Sequence, residues 1–489
     1  MSAYDELMAH NRVTQALGSV AGRTGWDQET VMPKGSGELR AEEMSALETV
    51  LHGRRTDPRI GEWLEVASPE GDVAKANIRH IRRSFERATR VPGDLSAALA
   101  GHGSRAQGIW AKARSDNDFK AFVPSLEEMI RLKREEAAAL ADGGDLYDAL
   151  LADYEPGITG SEIQAVFDAM RPRLVSLRER VLAADAPAPL NREFDETVQM
   201  QLSTVLAKTF GYDLEIGRID KAVHPFSSGS GTDVRITTRT NPVDPFNCFY
   251  STIHEVGHAC YEQGIDRAYQ LTPLGSGVSM GVHESQSRIY ENQLGRSRAF
   301  TGWLFGQMHD VFGDFGVASE DEFYRVVNRV GTGFIRTEAD EINYNLHVML
   351  RFDLERQLVD GRLDVVDLEE AWNTRFEADF GVAVNKPANG VLQDVHWSFG
   401  LFGYFPTYSL GNVYAGCLYQ SLSSQVPDLE GDLSRGDTSR ATTWLRDNLQ
   451  QHGGLREPRD TIKHACGFEP SEKPLLDYLE TKFGDLYAL

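Results

Sequence analysis

Residues Ser251 to Cys260 read Ser-Thr-Ile-His-Glu-Val-Gly-His-Ala-Cys, and their chemistry lies in His254, Glu255 and His258. On a helix, positions i and i+4 share one face, so the two histidines can offer two imidazole nitrogens to one tetrahedral metal ion. Glu255 is turned by about 100° from His254 and can reach a water on that ion without binding the ion itself. A second stretch, Gly281 to Glu291, reads Gly-Val-His-Glu-Ser-Gln-Ser-Arg-Ile-Tyr-Glu. Glu284 and Glu291 are seven residues apart and share a helix face, so either carboxylate can complete the site, whereas His283 points elsewhere by about 100°. Spacing alone does not choose between the two glutamates.

The elements that must position these residues follow from the sequence between them. Gly264-Ile265-Asp266 and then Pro273, Gly275 and Gly277 end the first helix, turn the chain and start a second helix beside it. Three protein ligands leave the fourth position on the ion open to water, whose pKa can fall from 15.7 to about 7. Glu255 is then the natural general base, taking a proton from the attacking water and returning it to a departing amine.

The pair of motifs, His254-Glu255-x-x-His258 and, about 25 residues on, His283-Glu284-Ser285-Gln286, resembles the carboxypeptidase Taq family of His-Glu-x-x-His zinc metallocarboxypeptidases. Further segments match that family in order: Asp233 to Thr237 with Arg235 at its centre, Ile335 to Asp340 with Arg336 second, Gly390 to Trp397 with Gln393-Asp394-Val395-His396 inside it, and Trp26 to Pro33 near the start. The likeness runs from near residue 20 to beyond residue 410. It implies that Glu284 is the third metal ligand and that the ion is zinc, with cobalt a workable substitute because His and Glu ligands in an open site select poorly between them. It implies one mainly α-helical domain over residues 1–489, two lobes around a deep groove, and a homodimer.

The resemblance also implies the rest of the site. His396 and Tyr408, with Tyr404 competing for the second place, resemble donors aimed at the oxyanion that develops when a peptide carbonyl is attacked. A carboxypeptidase also needs a cation to read the chain terminus, and the planar fork of arginine binds a carboxylate through two hydrogen bonds. Arg235 and Arg336 are the candidates, each with an ordinary salt bridge, to Asp233 or Asp340, as its alternative role. The Gly-x-Met-Glu-Asn segment that holds a free ammonium in aminopeptidases is absent. An endopeptidase of the same architecture, or a metal-stabilised protein that binds peptides without cutting them, remains the alternative to removal of residues one at a time from peptide carboxyl ends.

Composition narrows the partners. The chain of 489 residues carries 50 basic and 73 acidic residues, a net −23, which argues against nucleic acid and anionic membrane as partners and is compatible with peptides. The opening residues lack a basic region followed by an apolar run, and no window approaches 18 apolar residues. The four cysteines, Cys248, Cys260, Cys417 and Cys466, are scattered, so reduced thiols in a cytoplasmic protein are expected.

Helical signals dominate elsewhere. Ser125-x-x-Glu128, Ser161-x-x-Gln164, Ser319-x-x-Glu322 and Asp367-x-x-Glu370 read as helix starts, and Pro172 should kink or restart the helix that follows the second of them. Asp233 to Thr240 alternates instead, predicting a strand beside the metal helix whose free edge could pair with extended substrate. Trp26 to Pro33 reads as a helix end anchored to the core, and His347 as a satisfied core histidine.

Overall fold

Helices make up most of residues 2–489, the part of the chain that the computed structural model describes. Capping sets many of their starts, although not always where the sequence pattern suggests. Ser319 accepts from the backbone N–H of Glu322 as expected. The helix Gly160–Ala183 starts two residues earlier, with Thr159 and Glu162 forming the reciprocal cap in place of Ser161 and Gln164. Ser125 lies inside the helix Phe119–Ala141, whose start is capped by Asp118, and Asp367 flanks the helix Leu368–Phe380 without a side-chain cap.

Pro172 neither breaks nor restarts its helix. The proline removes one backbone donor, yet Ile163, Phe167 and Met170 before it and Leu174, Leu177 and Val181 after it are all buried in the same core. Packing on both flanks overrides the local penalty.

One continuous apolar core runs from Ala113 to Tyr487. The amino-terminal helices add a smaller cluster of Leu7, Ile60, Leu64 and Ile81, and they meet the body largely through polar groups, with His80 and Arg79 both contacting the Gly454 carbonyl and Arg83 paired with Glu457. The helix Ala3–Thr30 ends as expected just before Pro33, and the buried Trp26 ring also lies against the guanidinium groups of Arg218 and Arg235, at 4.9 and 4.4 Å. Among the described residues no helix is long and apolar enough to cross a membrane, and all four cysteines are buried and free.

The small sheet has three strands, β1 (Gly217–Lys221), β2 (Ser227–Ser230) and β3 (Asp233–Thr238), in the order β1-β3-β2. β3 runs parallel to β1 and antiparallel to β2. The predicted strand is therefore present, two residues shorter, but it is central. Both of its edges are used by neighbours, so the expectation of a free edge on this strand is corrected. Val234 and Ile236 are buried, and the Thr238 hydroxyl donates to the Cys248 carbonyl at 3.1 Å, which seats the sheet on the metal helix.

That helix, Pro245–Gly264, crosses the helix Met280–Arg288 at a glycine. A Cβ on Gly257 would lie 2.5 Å from the Gln286 carbonyl oxygen and 2.6 Å from the Ser287 Cα. On the other side of Met280–Arg288, a Cβ on Gly411 of the helix Phe405–Gln425 would lie 2.5 Å from Cβ and Cγ of Glu284. The helix that carries Glu284 is thus held between two side-chain-free surfaces. Overpacking such a contact costs about 1–3 kcal/mol. Gly257→Ala is expected to lower the thermal midpoint by that destabilisation, whereas Gly306→Ala, at an exposed mid-helix position with nothing within 4 Å, should raise it slightly through about 0.4–1 kcal/mol of backbone entropy; calorimetry on the two variants checks the opposite signs.

Candidate metal centre

Ser279 caps the helix Met280–Arg288 by accepting from the Val282 N–H, and this fixes the turn on which Glu284 sits. The ligand atoms of His254, His258 and Glu284 all lie within 4.8 Å of one another. Glu284 Oε2 is 3.8 Å from Nε2 of His254 and 3.4 Å from Nε2 of His258. Donors bound tetrahedrally at zinc–ligand distances near 2 Å are about 3.3 Å apart, so this donor set fits such an ion.

The other nitrogen of each imidazole is engaged. His254 Nδ1 donates to Glu291 Oε2 at 2.9 Å. His258 Nδ1 is 2.7 Å from His283 Nδ1, and His283 Nε2 is 2.9 Å from Glu262 Oε1. Glu262 can only accept, so His283 carries its proton on Nε2 and accepts at Nδ1 from His258. Both histidines are thereby held in the tautomer that leaves Nε2 bare for a cation.

Arginines keep the buried carboxylates ionised. Burial opposes the charge on Glu284, but Arg288, whose Nε donates to Oε1 at 2.7 Å, holds its pKa well below the usual carboxylate range. Burial likewise opposes Glu291, yet the His254 hydrogen bond and Arg288 bring it down to about 2. Burial lowers His258 to about 4, so its imidazole is neutral. Burial also acts on His254, but Glu284 and Glu291 outweigh it and raise its pKa. Glu255 is buried, without an arginine of its own; burial raises it to about 7 against the pull of His254.

A chain of contacts leads from Glu284 to the late motifs. Arg288 lies 4.1 Å over the Tyr344 ring, and the Tyr344 hydroxyl accepts from Arg336 Nη1 at 3.2 Å. Arg336 lies 4.9 Å over the Tyr408 ring, and the Tyr408 hydroxyl is 3.3 Å from His396 Nε2. Burial drops His396 to about 4 and pushes the Tyr408 phenol well above its ordinary value, so both are neutral hydrogen-bonding groups. Tyr404 stands edge-on to Tyr408, ring centres 5.2 Å apart, and stays a candidate beside it.

Arg336 pairs with Asp394, through Nε at 3.1 Å and Nη2 at 2.9 Å, not with Asp340. Asp340 instead caps the helix Glu341–Asp360. Arg235 lies outside the chain of contacts: its Nε–Nη2 edge goes to Asp233, at 2.7 and 3.0 Å, and its face lies on Trp26. His347 is a core histidine but not a satisfied one, because neither ring nitrogen has a partner among the described residues and the ring packs against Phe380.

Reading the sequence for ligands misses the residues that orient them. Glu262 follows His258, and Arg288 follows Glu284, each at i+4, a spacing that marks neighbours on a helix face. His283 does point away from Glu284, as its position requires, but it points at His258.

Comparison with known proteins comes to the same place. The family described as carboxypeptidase Taq (M32) metallopeptidase matches residues 6–483. The thermostable carboxypeptidase 1 of Thermus thermophilus is 41% identical over all of this chain and 99% of its own, and the carboxypeptidase 1 of Bacillus subtilis is 34% identical over 95% of this chain and 94% of its own. The crystal structure of an M32 carboxypeptidase from Deinococcus radiodurans R1 superposes with a TM-score of 0.97 at 40% identity, covering 100% of both chains. Metallocarboxypeptidase 1 of Trypanosoma cruzi gives 0.95 at 32% identity, over 98% of this chain and 99% of that one.

Orientation and ligation separate in a binding experiment. Glu291→Gln should weaken metal affinity about 10–100-fold, the range typical of carboxylates that hold a ligand histidine, and Glu284→Ala should weaken it further. Competition with a chromophoric chelator measures both, and the reverse ranking would make Glu291 the ligand.

Proposed function

The chain belongs to the carboxypeptidase Taq (M32) metallopeptidases, and from that premise we propose how its own residues divide the hydrolysis of a peptide's terminal bond. As a metallocarboxypeptidase it acts on peptides from their carboxyl ends. The observation that carries the division of labour is the convergence of His254, His258 and Glu284, with both Nδ1 atoms already engaged.

We assign those three as ligands of zinc, with cobalt able to replace it. Bound there, the ion would supply Lewis acidity to a water molecule and to the scissile carbonyl. Glu255 takes the proton from the attacking water and hands it to the departing amine. His396 and Tyr408 present neutral hydrogen-bond donors to the oxyanion, with Tyr404 as the alternative phenol. Arg336 reads the terminal carboxylate. Asp394 occupies Nε and one hydrogen of Nη2, and Tyr344 one hydrogen of Nη1. A guanidinium has five donors, so the outer hydrogens of Nη1 and Nη2 can take a substrate carboxylate side by side. Arg235 is the second candidate for that task, and it would have to share its fork with Asp233.

Residues 1–489 are read as one domain; the core continuous from Ala113 to Tyr487 supports that reading for its own span, and the helices before it join through the contacts of Arg79, His80 and Arg83. The groove between two lobes and the homodimer are carried over from the family resemblance. A cytoplasmic setting fits the four free thiols.

The test is a mass-spectrometric time course on one peptide with a free or an amidated carboxyl terminus. Single-residue losses from the free acid alone, stopped by chelator and restored by zinc or cobalt, are expected; internal cleavage of both peptides would identify an endopeptidase. Glu255→Gln should retain stoichiometric metal and lose about 10²–10⁴ in kcat. Arg336→Ala should raise KM for free-acid peptides about tenfold or more, the loss of one charge-assisted contact; an unchanged KM removes Arg336 from the carboxylate pocket.

A further inference from the structure

Arg351 and Glu355 lie one turn apart on the helix Glu341–Asp360, and neither is exposed to solvent at all. A buried ion must find partners, and both find them in the same short stretch, residues 394–403. Arg351 donates from Nε to Asp394 Oδ2 at 2.7 Å. Glu355 Oε1 accepts from the Trp397 indole N–H at 2.9 Å, and its Oε2 accepts from the Gly403 backbone N–H at 3.2 Å and from the Tyr147 hydroxyl at 2.9 Å.

The residues read as oxyanion donors flank those acceptor contacts in the chain. His396 precedes Trp397, and Gly403 precedes Tyr404, at the start of the helix Phe405–Gln425 that carries Tyr408. The stretch between is a tight loop. Trp397 stacks parallel to Phe402, with 6.3 Å between ring centres and 8° between planes. Gly403 has φ +85°, and a Cβ there would lie 2.8 Å from the Leu151 backbone nitrogen, so the loop is pressed onto the helix Leu146–Leu151 that supplies Tyr147.

We propose that Glu355 is a positioning residue for catalysis: by accepting from Trp397 and Gly403 it pins both ends of the 397–403 loop, so that His396 and Tyr408 keep their 3.3 Å separation and a common aim, a role that rests on reading those two side chains as the oxyanion donors. The carboxylate is required because its partners are donors, and two of them cannot reverse. The Tyr147 hydroxyl can turn round to accept, but an indole N–H and a backbone N–H cannot. An amide in place of the carboxylate has a single acceptor oxygen. Whichever way it is flipped, its NH₂ group faces either Trp397 or Gly403, and that end of the loop comes loose.

Glu355→Gln is therefore expected to lower kcat about 10–100-fold, the penalty of misplacing a catalytic group by roughly an ångström, while KM moves less than threefold and zinc content stays stoichiometric. Trp397→Phe removes one of the three donors and leaves the carboxylate in place, so it should show the same pattern more weakly and carries the test if Glu355→Gln fails to fold. The deciding comparison repeats each variant in a His396→Ala, Tyr408→Phe background. Loss of the Glu355 effect there supports the proposal. Persistence of the full factor in that background overturns it, as does an unchanged kcat in the single variants. If the background itself keeps wild-type kcat, the assignment of His396 and Tyr408 as donors fails first and takes the positioning role with it.

Discussion

Two helices cross at Gly257 with no room for a methyl group, and the rest of the site depends on that contact. Helical periodicity places His254 and His258 on one face of Pro245–Gly264, but periodicity cannot bring a third candidate ligand. The third comes from the neighbouring helix, and only a backbone-to-backbone approach leaves Glu284 Oε2 at 3.4 and 3.8 Å from the two Nε2 atoms. Gly411 repeats the device from the opposite side, so Glu284 is gripped between two bare surfaces. Once these helices touch, charge has to be managed. Burying a carboxylate costs several kcal/mol unless a cation accompanies it. Arg288 and Arg296 reach Glu284 and Glu291 for that reason, and the geometry of the two carboxylates is set as much by these arginines as by the imidazoles they face.

What the sequence made legible is what depends on local spacing. The two histidines at i and i+4, the adjacent glutamate, the mainly helical fold and the alternating strand from Asp233 all follow from periods that a few residues reveal. Choosing Glu284 over Glu291 required the family likeness, because a seven-residue interval puts both on one face. In the structure both do face the metal helix, one toward Nε2 of the histidines and the other toward Nδ1 of His254, and a π-helical turn from Ile289 to Leu294 carries the second. The ambiguity in the sequence reflects two neighbouring tasks.

Where the structure departs from the local signal, contacts elsewhere in the chain decide it. As an ion-pair partner for Arg336 the sequence offers Asp340, four residues on, but the arginine pairs with Asp394, 58 residues away, and the helix Glu341–Asp360 uses Asp340 at its own start. β3 was read with a free edge because nothing near it announces that Gly217–Lys221 will run parallel beside it. Pro172 stays inside a helix because the core on both flanks outweighs a missing hydrogen bond. In each case the local signal was real, and a tertiary contact of larger energy decided the outcome.

Charge shows the same division between sum and placement. A net −23 would repel the carboxylate of an approaching peptide if the protein were a uniform sphere. Charges separated by more than about 8–10 Å of salt solution are largely screened, so a terminus near the site responds to what lies within that distance. There the Tyr344 ring is flanked by two guanidinium groups, Arg288 at 4.1 Å and Arg336 at 5.9 Å, and Arg351 stands behind Asp394. Asp394 is thus shared by two arginines, and neither is neutralised in full. Asp394 takes the Nε–Nη2 edge of Arg336 and leaves the Nη1–Nη2 edge without a carboxylate partner among the described residues. A protein acidic overall can in this way keep a local cationic point, provided that the acidic partner holding it is divided between two cations.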